Sequence, residues 1–390
     1  MVFVIHRVWE QPRARRVAYL GGMDKSDPIA QLRRLGQSVW LDQIDRAMIR
    51  SGQLARYRDA GVAGVTANPT IFAKALESSD AYSDDVARRL DKGQDAESMV
   101  WDLLIEDVQA AADVLRPVYE KEHGGDGFVS IEVSPEIAGD TEKTIAAARD
   151  LHARVSRPNV MVKIPATPAG LPAIQAMIAE GANINVTLIF AVERYVKVVE
   201  AFLSGLEQLR ARGGDLGRVH SVASFFVSRV DTKVDEQLSK LKGNVERLFG
   251  RAAIANSKLA YEMFTQLHSG PRWDALREAG ASVQRCLWAS TSTKNPRYRD
   301  VMYVEELIGP ATVNTMPVAT FEAFRDHGRV ALTLPEDVEE ARQVLDQLAV
   351  NGVDLAAITQ QLEEEGVAGF AKSFRESIRR LSQVKTTGRG

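Results

Sequence analysis

Residues 159–166 read NVMVKIPA, an apolar run with a lysine in its middle. A strand sends alternate residues to opposite faces, so Val160, Val162 and Ile164 share one face while Met161 and Lys163 share the other. The same division recurs in four neighbouring runs. In FVSIEV (128–133) Val129, Ile131 and Val133 oppose Ser130 and Glu132. In ANINVTLI (182–189) Ile184, Val186 and Leu188 oppose Asn183, Asn185 and Thr187. In VTAN (65–68) Val65 and Ala67 oppose Thr66 and Asn68, and in SVWLD (38–42) Val39 and Leu41 oppose Ser38, Trp40 and Asp42.

VAGVTAN (62–68) extends VTAN, and VHSVASFF (219–226), QRCLWAS (284–290) and ATVNTM (311–316) bring the strand-like runs to eight. Helical patterns lie between them, such as DLLIEDVQAAADVL (102–115) and AVERYVKVVEAFLSGLEQL (191–209). Strands alternating with helices make parallel βαβ units. Eight in one chain predict an α/β fold, a closed (β/α)8 TIM barrel with additional helices, rather than an open sheet. No GxGxxG follows the first strand, which disfavours a dinucleotide-binding fold. In a barrel the apolar face of each strand meets the helix ring, so the polar face points into the lumen. The polar residues gather towards the C-terminal strand ends, where such barrels hold their active sites. Asp42, Asn68, Glu132, Lys163, Asn185 and Thr187 should therefore converge. A single Asn or Thr fits equally well as a satisfied polar residue of a barrel layer. A Lys and a Glu inside apolar strands are seldom buried without a partner or a function.

The 390 residues are 45% hydrophobic and 26% charged with a formal charge of -3, which excludes a disordered or fibrous chain. The near balance argues against a nucleic-acid binder. No apolar stretch reaches the roughly 18 residues of a spanning helix, so a soluble protein with no membrane partner is expected. The lone Cys286 and six His residues without an HxH or HExxH grouping predict no metal site. Residues 1–22 lack an export-signal core and read as a disordered extension, with folding from near Asp24; the cytoplasm is the expected location. Residues 23–330 form the expected barrel, and 331–390 helices packed on it as one domain. In that tail Val338, Ala341, Val344, Leu345 and Leu348 fall at helical spacing. The following stretch reads as two helices broken near Gly366. GVAGFAKS (366–373) has the outline of a phosphate loop, but Ala371 stands where its second glycine is required.

An ammonium inside a barrel loses hydration, which favours the free amine. A free amine condenses with a carbonyl to an imine, and a protonated imine weakens the neighbouring C–C bond. Dehydration of the carbinolamine needs a proton shuttle, for which Glu132 is suited, through a water. Cleavage needs a base for the substrate hydroxyl, for which Asp42 is suited. These residue types predict metal-independent, cofactor-free aldol chemistry and leave the substrate open.

The strings TANPTIF (66–72), VSIEVSPEIAGD (129–140), VMVKIPATPAG (160–170), INVTLIF (184–190) and SFFVSRVD (224–231), in this order, closely resemble the transaldolase family. The resemblance runs from about Asp42 to Pro317 and includes the helical tail, and the long insertions fit the longer bacterial subgroup. It implies Lys163 as Schiff-base lysine, Glu132 as water-linked acid/base and Asp42 as the base of cleavage. It implies that Thr66, Asn68, Asn185 and Thr187 position the dihydroxyacetone fragment and its water, and that Ser224 and Arg229 bind phosphate. A guanidinium forks well onto phosphate oxygens. Many members carry a second phosphate arginine after the seventh strand; here WASTSTKNP offers Lys294 instead, beside Ser290 and Thr291. The implied reaction transfers a dihydroxyacetone unit between sedoheptulose 7-phosphate and glyceraldehyde 3-phosphate in the pentose phosphate pathway. The partners expected are phosphorylated sugars, with monomer and homodimer both open. An aldolase releasing free dihydroxyacetone is the nearest alternative, but the related fructose-6-phosphate aldolases look shorter and lack the carboxylate equivalent to Glu132. A non-catalytic phosphosugar-binding barrel is disfavoured by Lys163, Glu132 and Asp42 standing together.

Overall fold

Eight parallel strands pair in chain order and the last pairs with the first, closing a barrel. They are β1 (Gln37–Leu41), β2 (Gly64–Thr66), β3 (Phe128–Glu132), β4 (Val160–Pro165), β5 (Ile184–Ile189), β6 (Ser221–Phe226), β7 (Arg285–Ala289) and β8 (Thr312–Met316). Each of the eight sequence runs coincides with one strand, β1 beginning one residue before its run at Gln37. The computed structural model describes residues 27–384 apart from Asn244, so the expectation for residues 1–22 lies outside the described residues. Seven of the surrounding helices matter for the site: α1 (Pro69–Ser78), α2 (Ala96–Lys121), α3 (Val192–Ala211), α4 (Ser228–Leu238), α5 (Ala252–Leu267), α6 (Val338–Val350) and α7 (Leu355–Gln383).

The alternation read from the sequence is the alternation of the barrel wall. Val129, Ile131, Val160, Val162, Ile164, Ile184 and Val186 are sealed from solvent in the main core. Branched residues suit this place because their stiff side chains pack on a pleated surface. The lower lumen is filled. The Trp40 indole donates to Asp126 Oδ1 at 2.9 Å, and Ser38 bonds the other oxygen of the same carboxylate. Arg285 approaches Asp126 at 3.5 Å from β7. Gly64 makes room for this plug: a methyl group there would lie 2.4 Å from the Trp40 ring. With the floor closed, only the C-terminal half of the lumen remains for chemistry.

One strand departs from simple alternation. The β5–β6 register shifts between Val186 and Ile189, and Leu188 takes a left-handed backbone with φ +58°. That conformation costs a non-glycine residue about 1–3 kcal/mol and persists only where packing enforces it. The packing partner is α7. A methyl group on Gly366 would stand 2.8 Å from Leu188 Cδ2.

This corrects the expected break near Gly366. α7 is one helix of 29 residues, capped by the Asp354 side chain on Ala357 N at 2.9 Å. Gly366 is a point of close approach, not a helix end, and tertiary packing offsets its low helix propensity. α6 starts at Val338, three residues after Pro335, and buries Ala341, Val344 and Leu348. No described helix is long and apolar enough to cross a membrane.

Candidate active site

Register brings the central pair together. In the β3–β4 ladder Glu132 pairs with Lys163, and in the β4–β5 ladder Lys163 pairs with Asn185. Three polar side chains on adjacent strands therefore face one lumen at one height. Lys163 Nζ stands 3.4 Å from Glu132 Oε2 and 3.4 Å from the Ala67 carbonyl oxygen. Lys163 is 4% exposed and Glu132 6%, so both are held away from bulk water. The carboxylate is nearer than the one-water separation expected from the sequence, because parallel pairing sets neighbouring side chains side by side. Neither Glu132 oxygen has hydrogen-bond geometry to a described residue. Glu132 also borders a small side pocket, with Asn68, Trp101 and Phe374 among its walls.

Asp42 follows β1, its backbone N–H donating to Met316 O at 2.9 Å. Its Oδ1 accepts from Thr66 Oγ1 at 3.3 Å, and Thr66 Oγ1 lies 2.9 Å from Thr315 Oγ1. Burial raises the pKa of Asp42, opposed first by the Lys163 charge and then by the Thr66 hydrogen bond. Glu132 is raised for the same reason, with Lys163 opposing and Asp42 adding to the rise. Two carboxyls with strengthened proton affinity thus flank one amine, the arrangement that general acid–base chemistry uses.

The other expected residues divide by whether their polar atoms are engaged. Thr187 is buried and its hydroxyl has no partner among the described residues. Asn185 is engaged at both ends, its Nδ2 donating to Ser130 Oγ at 3.0 Å and its Oδ1 accepting from Ser224 Oγ at 2.7 Å. Ser224 accordingly lies in the barrel layer beside Asn185, 1% exposed. Asn68 caps α1, its Oδ1 accepting from Ile71 N at 3.0 Å.

Arg229 opens α4, its guanidinium 5.1 Å from the centre of the Phe226 ring. It forms no ion pair with a described residue, and burial lowers its pKa, opposed by Asp42 and Glu365. Lys294 donates to Ser292 Oγ at 2.7 Å. Its pKa is lowered by burial and by the Arg229 charge, with Asp42 opposing and Lys74 adding to the fall. The charges of Arg229 and Lys74 both act on Lys294, and Arg229 and Lys294 both act on Asp42, a positive field that favours a polyanion. Lys74 was not among the residues singled out from the sequence: it lies on α1, where no strand alternation marks it. Ser290, with φ +56°, meets Ser228 hydroxyl to hydroxyl at 3.0 Å. Thr291 turns inward to Asn314 Oδ1 at 2.8 Å.

The family model for Transaldolase/Fructose-6-phosphate aldolase matches residues 39–381. A transaldolase of Thermobifida fusca (strain YX) is 50% identical over 359 residues, covering 91% of this chain and 98% of that protein. One of Parafrankia sp. (strain EAN1pec) is 50% identical over 356 residues, covering 90% and 96%. Transaldolase 1 of Streptomyces coelicolor is 50% identical over 347 residues, covering 88% and 91%. With strand order, lysine and likeness in agreement, the chain belongs to the transaldolase/fructose-6-phosphate aldolase family.

Proposed function

We propose that this chain moves a dihydroxyacetone unit from sedoheptulose 7-phosphate to glyceraldehyde 3-phosphate through a Schiff base on Lys163, yielding erythrose 4-phosphate and fructose 6-phosphate. The observation that carries the reading is the buried Lys163–Glu132 pair at 3.4 Å, with Asp42 coupled to it. The names of the relatives support the same activity.

Lys163 adds to the ketose carbonyl. Glu132, whose burial strengthens its hold on a proton, protonates the departing hydroxyl of the carbinolamine. Asp42 takes the substrate hydroxyl proton as the C–C bond breaks; its raised pKa makes it a better base than a solvated carboxylate. The three-carbon enamine stays on Lys163 until an aldehyde arrives. Thr187 offers a free hydroxyl beside the pair, Thr66 orients Asp42, and Asn185 and Asn68 line the wall on either side. Arg229 and Lys294 hold the phosphate, with Ser224 in the layer below them.

Borohydride added with fructose 6-phosphate should fix the three-carbon unit on Lys163, read by peptide mass mapping. Lys163→Ala should lose the adduct and essentially all turnover. Label on a different lysine would overturn the assignment.

A further inference from the structure

α7 lies across the mouth of the barrel, fastened at both sides. Towards its N-terminal half, Glu363 takes two hydrogen bonds from Arg194 at 3.1 and 3.3 Å, and Glu365 accepts from Lys233 at 2.7 Å. Arg194 follows β5 on α3, and Lys233 follows β6 on α4. Further along, Ser373 meets Thr70 at 2.8 Å and Arg375 reaches Glu136 at 2.6 Å. Thr70 follows β2 and Glu136 follows β3. The helix therefore bridges opposite walls of the barrel, and Phe370 sits in the span between the two sets of fastenings. Its ring centre is 6.0 Å from Lys163 Nζ, and the residue is 4% exposed. Gly366, one turn earlier, lets the backbone of α7 come down onto Leu188 and so sets the depth of the ring.

We propose that Phe370 is a specificity-determining residue: its ring keeps bulk water from the Lys163-bound enamine, so that the three carbons pass to an aldehyde and not to water. The inference rests on the Schiff-base transfer proposed above. The reaction it suppresses is a balanced hydrolysis. The enamine carbon takes a proton from water, the resulting iminium takes up the hydroxide, and the C–N bond breaks. One water is consumed, free dihydroxyacetone leaves, and the Lys163 amine is restored. An apolar ring suits this role, since it offers water no hydrogen bond and excludes it by volume.

The test measures partition in the full-length protein. Fructose 6-phosphate is supplied with erythrose 4-phosphate to read transfer, and without an acceptor to read release of free dihydroxyacetone. The ratio of release to transfer should rise about tenfold or more in Phe370→Ala, with Phe370→Leu in between. Leu381→Ala, three turns further along α7 in a separate apolar cluster, loosens the same helix away from the amine. It should leave the ratio unchanged. Each ratio is counted per site trapped by borohydride, so only folded, imine-forming protein contributes; should Phe370→Ala not fold, Phe370→Leu decides. An unchanged ratio in the Phe370 variants, or an equal rise in Leu381→Ala, overturns the inference. Failure of the unaltered protein to transfer at all would instead overturn the proposed function.

Discussion

Glu132 is the side chain whose environment does most to define the chemistry. It is buried, its oxygens lack hydrogen-bond partners among the described residues, and the Lys163 amine stands 3.4 Å away. A carboxyl in that position can give and take a proton, whereas an amide of the same shape cannot. Glu132→Gln should therefore slow imine formation by about 10²–10⁴-fold while leaving ketose binding largely intact. Rapid borohydride quenching measures the rate directly, and an unchanged rate would contradict the acid/base role. This pair was legible in the sequence because a charged residue on an apolar strand is anomalous by itself. Lys74 was not, because an exposed lysine on an amphipathic helix is the commonplace pattern, and only folding brings its charge to bear on Lys294. Ser224 carried a family role in the sequence, yet its hydroxyl is engaged by Asn185, a contact set by register between β5 and β6.

α7 shows how an element can be misread when a glycine is judged by propensity alone. Alanine is favoured over glycine in a helix interior by about 1 kcal/mol, so Gly366 resembled an interruption. Its surroundings reverse the argument. Leu188 is fully buried and held at φ +58°, so the Cδ2 that a new methyl group would press on at 2.8 Å has little room to retreat. Overpacking of this kind costs about 1–3 kcal/mol, enough to exceed the propensity gain. Gly366→Ala should lower the midpoint of chemical denaturation, by about 1 kcal/mol in stability. A midpoint that stays or rises would mean that Leu188 gives way. The strands were easier to read than the helix, because alternation of apolar and polar residues carries its own phase, and the phase survives any choice of strand ends.

Across the molecule, α4 and the surrounding helical shell are joined through Asp231. This residue of α4 accepts from Ala253 N at 2.7 Å on α5 and from the Tyr303 hydroxyl at 2.8 Å. Burial raises its pKa to about 7, against the two hydrogen bonds that favour the charged form. The folded state therefore holds a proton that the unfolded chain releases above pH 3.8. Between those values the folded state binds more protons, so stability falls as pH rises from about 4 to 7, by up to about 4 kcal/mol from this group. Asp231→Asn keeps the shape and the Ala253 contact without the titration. Urea denaturation across that pH range should show the variant gaining stability relative to the unaltered protein as pH rises; identical slopes would remove Asp231 as the cause.

The order of eight strands, the closed barrel and the convergence of Lys163, Glu132 and Asp42 followed from local pattern, since a period of two and a misplaced charge are written in consecutive residues. The direct Lys163–Glu132 contact, the bulge at Leu188, the unbroken α7 and the 6.0 Å approach of the Phe370 ring, within a tail segment the sequence offered as a lid, to the amine did not. Each depends on the register of strands or on the approach of segments more than a hundred residues apart, and such distances are settled by packing volume and charge in three dimensions. No stretch of chain read alone contains them.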